Sequence, residues 1–128
     1  MSSLYPKGAD HILGKTTQVD VDSDTLKILF YAGTYVSTHE FVSDLTGASI
    51  VARSGALTGV TLSNGVVDAN DITITAVSGS AFTHVILYKD TGSDATSVLI
   101  ANFDVSTFTP TGGDITVVWN ASGLFSIA

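Results

Sequence analysis

Apolar and polar residues alternate along most of this chain. Ile72-Thr73-Ile74-Thr75, Asp114-Ile115-Thr116-Val117 and Thr17-Gln18-Val19-Asp20-Val21 all repeat with a period of two. Alternation carried by β-branched residues marks strands with one buried face. The polar breaks supply turn chemistry, through residues that tolerate positive φ or bond their own backbone. They are Asp22-Ser23-Asp24, Ser63-Asn64-Gly65, Ser78-Gly79-Ser80, Asp90-Thr91-Gly92 and Thr111-Gly112-Gly113. Strands are expected over 16–21, 25–31, 48–53, 57–62, 71–76, 82–89, 97–103, 114–120 and 123–127. That spacing predicts an all-β fold, an antiparallel β-sandwich or small β-barrel of about 8–9 strands.

One segment breaks the period. Ser37 or Thr38 can cap a helix, and Glu40 lies where a capping box wants it. Phe41 and Leu45 would share its apolar face, so a short helix is expected over 38–45. Residues 1–15 have no period at all, although they carry Leu4, Tyr5, Pro6, Ile12 and Leu13. They are expected as an extended N-terminal arm, more apolar than a disordered tail usually is, ahead of a single β domain over 16–128.

Composition narrows the partners. Twelve acidic against five basic residues give a net charge of −7. A nucleic-acid grip needs Lys and Arg on one face, and an anionic membrane surface attracts the same residues, so neither partner is expected. The N-terminus has no basic start followed by an apolar core, so no signal peptide is expected, and no apolar run approaches the roughly 18 residues of a membrane span. With 13% charged and 45% hydrophobic residues, much of the surface is expected to be shared with neighbours in an assembly. The absence of Cys excludes disulfides, thiolate metal sites and a Cys nucleophile.

The candidate chemistry is thin. Residues 86–94 resemble the active-site loop of a retroviral-type aspartic protease, an apolar strand followed by Asp90-Thr91-Gly92. Lys89 stands where that family has an apolar residue, the chain after Asp90 is short, and Ser122-Gly123-Leu124 has no room to open the second helix. Asp90 is expected at the tip of a polar hairpin loop. Asp20, Asp22 and Asp24 resemble the start of a calcium loop, but the required Gly and the later bidentate Glu are missing, so a solvated turn is expected. His11, His39 and His84 lie far apart in different settings, unlike a zinc set. No Gly-x-Ser-x-Gly elbow, phosphate loop or interleaving of basic with aromatic residues occurs. No catalytic residue, cofactor or metal is therefore expected.

The order of segments carries a resemblance. LYPKGADHILG leads into VDVDSDTLKILFY, then THEFVSDL, ARSGALTGVTL, VVDANDITITAV, FTHVILYKDTGSDATSVLIANFD and TPTGGDITVVWNASGLFSI. This resembles a group of small all-β virion structural proteins of tailed bacteriophages. The resemblance implies a capsid decoration (cement) protein on the outer surface of the head, made in the host cytoplasm and binding the assembled major capsid protein. It implies self-association as a homotrimer. The arm residues Leu4, Tyr5, Pro6, Ile12 and Leu13 are the expected contacts with capsid or neighbouring subunit. A tail subunit and a carbohydrate-binding sandwich are the other classes to weigh, the latter wanting exposed Tyr31, Tyr35 and Trp119.

Overall fold

The computed structural model describes residues 2–14, 19–21, 23–64, 66–119 and 125–126. Its centre is a five-stranded antiparallel sheet in the order β1-β8-β7-β2-β3. These strands are β1 (Ser2–Leu4), β2 (Leu26–Tyr31), β3 (Ile50–Arg53), β7 (Phe82–Lys89) and β8 (Leu99–Phe108). A three-stranded sheet, β10-β5-β4, joins β4 (Thr61–Ser63), β5 (Val66–Asp68) and β10 (Phe125–Ser126). A ribbon pairs β6 (Ile72–Ile74) with β9 (Ile115–Val117). The sheets are open, so the all-β architecture is sandwich-like, with antiparallel pairing throughout.

The central strands read as continuous apolar runs because both faces of their sheet are covered. On one face Ile28, Phe30, Val85, Leu87 and Ala101 pack with Leu57, Val67, Ile74 and Val77. On the other, Leu29, Tyr31, Ile86, Tyr88 and Leu99 pack with Tyr5, Val42 and Leu45. Alternate residues of one strand thus serve two cores, as the pleat requires. Phe30, fully buried, stacks on Phe82 with ring centroids 4.3 Å apart and planes 4° apart. Burying such a side chain contributes about 1.5–3 kcal/mol.

Two sequence expectations need correction. The short helix is at Pro6–Ile12 (α1) and not over 38–45, where the chain makes one 3₁₀ turn, Val42–Asp44. Residues 40–42 cannot wind into a helix because their backbone bonds across to the start of β8. The Val42 N–H donates to the Ser97 carbonyl, and the Leu99 N–H donates to the Glu40 carbonyl. Asp44 then accepts the N–H groups of Glu40 and Phe41 at 2.9 and 3.0 Å, fixing the turn and holding its carboxyl below the usual value.

Nor are residues 2–13 an extended arm. Ser2–Leu4 pairs with β8, Ser2 opposite Phe103 and Leu4 opposite Ala101. Pro6 then opens α1, where its missing N–H costs nothing. Tyr5, Gly8 and His11 form the buried helical stripe. Gly8 lies so close to β8 that a Cβ would collide with the Leu99 carbonyl oxygen. The stripe hides from a hydrophobic-period search because Gly and His occupy two of its positions. The strand expected over 16–21 falls partly outside the described residues, and Val19 and Val21 are buried without strand pairing. The strand expected over 123–127 is described only at Phe125–Ser126.

Candidate interaction surface

One surface feature is an apolar groove between β8 and β9. Its volume is about 250 Å³, and its lining includes Phe82, Val105, Phe108, Ile115, Val117 and Val118. Among the described residues, no charged one lines it. A bulge in β8 builds one wall. Phe82 pairs with Phe108 and His84 with Asp104, so a step of two residues in β7 spans four in β8. The surplus pushes Val105 and Ser106 out along the rim. Phe82 stacks on Phe108 at 5.6 Å, so the Phe30–Phe82 pair continues from the core to the surface. Val105, Phe108 and Val118 are 38%, 44% and 71% exposed, which in a globular chain marks a surface suited to a partner.

The opposite end of the β7–β8 hairpin is polar and self-satisfied. Asp90 Oδ2 lies 2.8 Å from Lys27 Nζ, and Asp90 Oδ1 accepts the Gly92 N–H at 3.2 Å. Gly92 takes φ +87°, which a side chain would resist. Lys27 first, and the Gly92 N–H second, hold the Asp90 carboxyl below its usual value. Asp94 receives both guanidinium nitrogens of Arg53 at 2.7 Å, and this lowers its carboxyl too. Lys89 reaches Asp24 at 3.2 Å, and the Asp20 N–H donates to Asp24 at 2.7 Å. Asp90 is therefore a loop anchor facing a lysine, and Asp20 and Asp24 form a turn. Asp22 lies outside the described residues.

The histidines stay apart. His11 Nε2 lies 2.8 Å from Glu40 Oε2, tying α1 to the segment before the 3₁₀ turn. His84 Nδ1 lies 3.0 Å from Asp104 Oδ1. Among the described residues, no three His, Asp or Glu side chains converge as a metal site.

The expected contact residues divide. Tyr5 is fully buried, its ring 5.1 Å from Tyr35, and burial followed by the neighbouring Tyr35 and Tyr31 pushes its hydroxyl pKa up. Leu4 and Ile12 are partly buried against the main core. Pro6 is exposed, and Leu13 is 75% exposed. Of the aromatics a glycan would need, Tyr31 is buried and Trp119 packs on Phe103, with its indole N–H donating to the Asn70 carbonyl. The groove itself was not anticipated, since its residues come from strands far apart in the chain. Val105, Phe108 and Val118 are exposed only once the strands are in place, so the sequence carries no signal of it.

No protein-family model matches this chain, and no curated protein matches it.

Proposed function

We propose that this protein is a structural subunit of a bacteriophage particle, a decoration protein that binds the outside of the assembled major capsid protein lattice. The observation that carries this reading is apolar surface in two separate regions of a chain with only 13% charged residues. One is the groove along Val105–Phe108. The other is Leu13, just past the end of α1, a helix seated against Leu99 at the opposite end of β8. A subunit of a lattice needs at least two contacts, one to the shell and one to its neighbours, and interface centres are poor in charge. Binding to the closed shell and not to the open one stabilises the head by mass action, and many weak copies suffice.

On this reading, Leu4, Tyr5 and Ile12 hold the N-terminal unit on its own body, while Pro6 and Leu13 meet the shell. Cosedimentation with intact particles tests it. Stoichiometric binding to heads, reduced at least tenfold by Leu13→Asp, is the expected result. Full binding by the variant removes Leu13 from the contact. Recovery on isolated tails, with none on heads, replaces decoration by a tail role.

A further inference from the structure

The two faces of the central sheet are packed with different aromatics. Phe30 and Phe82 are buried on the face that meets β5 and β6. All four tyrosines gather on the other face, with Tyr5, Tyr31 and Tyr88 buried in it and Tyr35 packed against them. Asn102 shares this face, since it stands opposite Ile86. The tyrosine face holds polar atoms that find no partner. The Tyr5 hydroxyl and the Asn102 side-chain carbonyl are buried and make no hydrogen bond. Such groups weigh against the closed state, because water would satisfy them. Tyrosine also accepts water at its hydroxyl while its ring stays on apolar neighbours.

Among the described residues, the cover on this face comes from the N-terminal unit and the irregular stretch before β3, through Tyr5, Tyr35, Val42 and Leu45. The two parts are held differently. Residues 40–42 are laced into β8 by backbone bonds on both sides. The N-terminal unit is attached at the margin. β1 is the last strand of its sheet, paired with β8 over three residues and with no described strand beyond it. The Tyr5 N–H adds a bond to the Ile100 carbonyl at 2.9 Å, and the Val19 N–H donates to the His11 carbonyl at 3.1 Å. His11 reaches Glu40. Just past α1 stands Gly14, with φ +119° and nothing within 4 Å of where a Cβ would sit. That backbone suits glycine and has room to turn.

We propose that β1 and α1 form a single latch, which swings off the body about Gly14 while the rest of the molecule stays folded. Asn102 stands opposite Ser3 of β1, so lifting the latch brings water to it as well as to Tyr5. The opening is easier than the buried apolar area alone would allow, because two orphaned polar groups are satisfied by it. It bares the outer edge of β8 from Ala101 to Phe103. Closed, the latch guards that edge against pairing with other chains. Its seat is Gly8, where the helix backbone meets the Leu99 carbonyl. The device belongs to the free subunit and does not depend on the capsid reading.

Amide hydrogen exchange of the full chain, resolved by NMR under native conditions, tests it. The N–H groups of Tyr5, Ala9 and Leu13, bonded to Ile100, Tyr5 and Ala9, report on the latch. Those of β2 and β7 report on the body. The three latch amides are expected to share one protection factor, about tenfold or more below that of the body. Gly8→Ala drives a Cβ into the Leu99 carbonyl, so it lowers latch protection about tenfold further and leaves the body unchanged. Tyr5→Phe removes the orphaned hydroxyl and raises latch protection about tenfold. Latch protection equal to that of the body overturns the proposal, because the unit then opens only when the whole molecule unfolds. Unequal protection at Tyr5, Ala9 and Leu13 reduces the motion to fraying and overturns the single unit. A Gly8→Ala protein that loses latch and body protection together also overturns it. If that variant does not fold, Tyr5→Phe decides: unchanged latch protection refutes the role given to the hydroxyl.

Discussion

The N-terminal unit and the β6–β9 ribbon reverse what their sequences suggest. Residues 2–12 are apolar and without period, which reads as loose chain seeking a partner. In the structure they form a strand and a helix with Tyr5 and His11 almost wholly buried. The ribbon alternates regularly and reads as ordinary buried sheet, yet β9 is left with one edge unpaired among the described residues. Hydrophobic content shows that a segment will be buried, but not by what. Alternation identifies the buried face of a strand and is blind to its edges.

The sharpest way to break this comparison is at Tyr5. If the unit is integral, Tyr5→Ala costs about 3–5 kcal/mol in denaturant unfolding. If it is a loose arm, the midpoint does not move. Tyr5→Phe sharpens the point. The Tyr5 hydroxyl is buried without a hydrogen-bond partner, so its removal leaves stability unchanged or raised. Next comes Ser54→Ala. Ser54 Oγ accepts the buried Ile28 N–H at 2.9 Å just past the end of β3, and losing it strands that donor at a cost of about 1–3 kcal/mol. A smaller effect separates the N-terminal contacts from the 3₁₀ turn beneath them. Asp44→Ala frees two backbone N–H groups and lowers stability by about 1 kcal/mol, with no change in oligomeric mass.

The least of these effects lies at three carboxylates, two of them at the charged end of the hairpin, and depends on pH. Asp44, Asp90 and Asp94 have carboxyls held below their ordinary value of 3.8 in the folded chain. Their contribution is complete above 3.8 and is lost as pH falls through the lowered folded values. The melting temperature should therefore hold steady from neutral pH to about pH 5 and decline below about pH 4. Asp90→Asn combined with Asp94→Asn should flatten that acid limb. An unchanged limb would assign acid sensitivity to carboxylates outside the hairpin.

Legibility in the sequence followed element length. β7 spans 82–89 as expected, because Phe82, Val85, Ile86 and Tyr88 within eight residues leave little ambiguity. β5 escaped notice although Asn64-Gly65 before it is a strong hairpin signal. Ser63 does pair with Val66, and Asn64 takes φ +51°, but a strand of three residues shows too little period. α1 was hidden by Gly8, whose role is closeness to β8 and not hydrophobicity. The helix expected over 38–45 failed because a cap signal is local, while Ser97 and Leu99 claim the same backbone from more than fifty residues away. The groove was the least legible, for it depends on a bulge and on the meeting of Phe82, Phe108 and Val118.

The chain's single tryptophan stands two residues beyond Val117. Trp119 rests on Phe103 at 5.4 Å, and its indole N–H is held by the Asn70 carbonyl. Its fluorescence is therefore an optical gauge of the seam where the ribbon meets β8. Anything that parts this ring from Phe103 wets its surroundings, so its emission should move to longer wavelength as the ribbon comes away from β8, with no dye and no label needed.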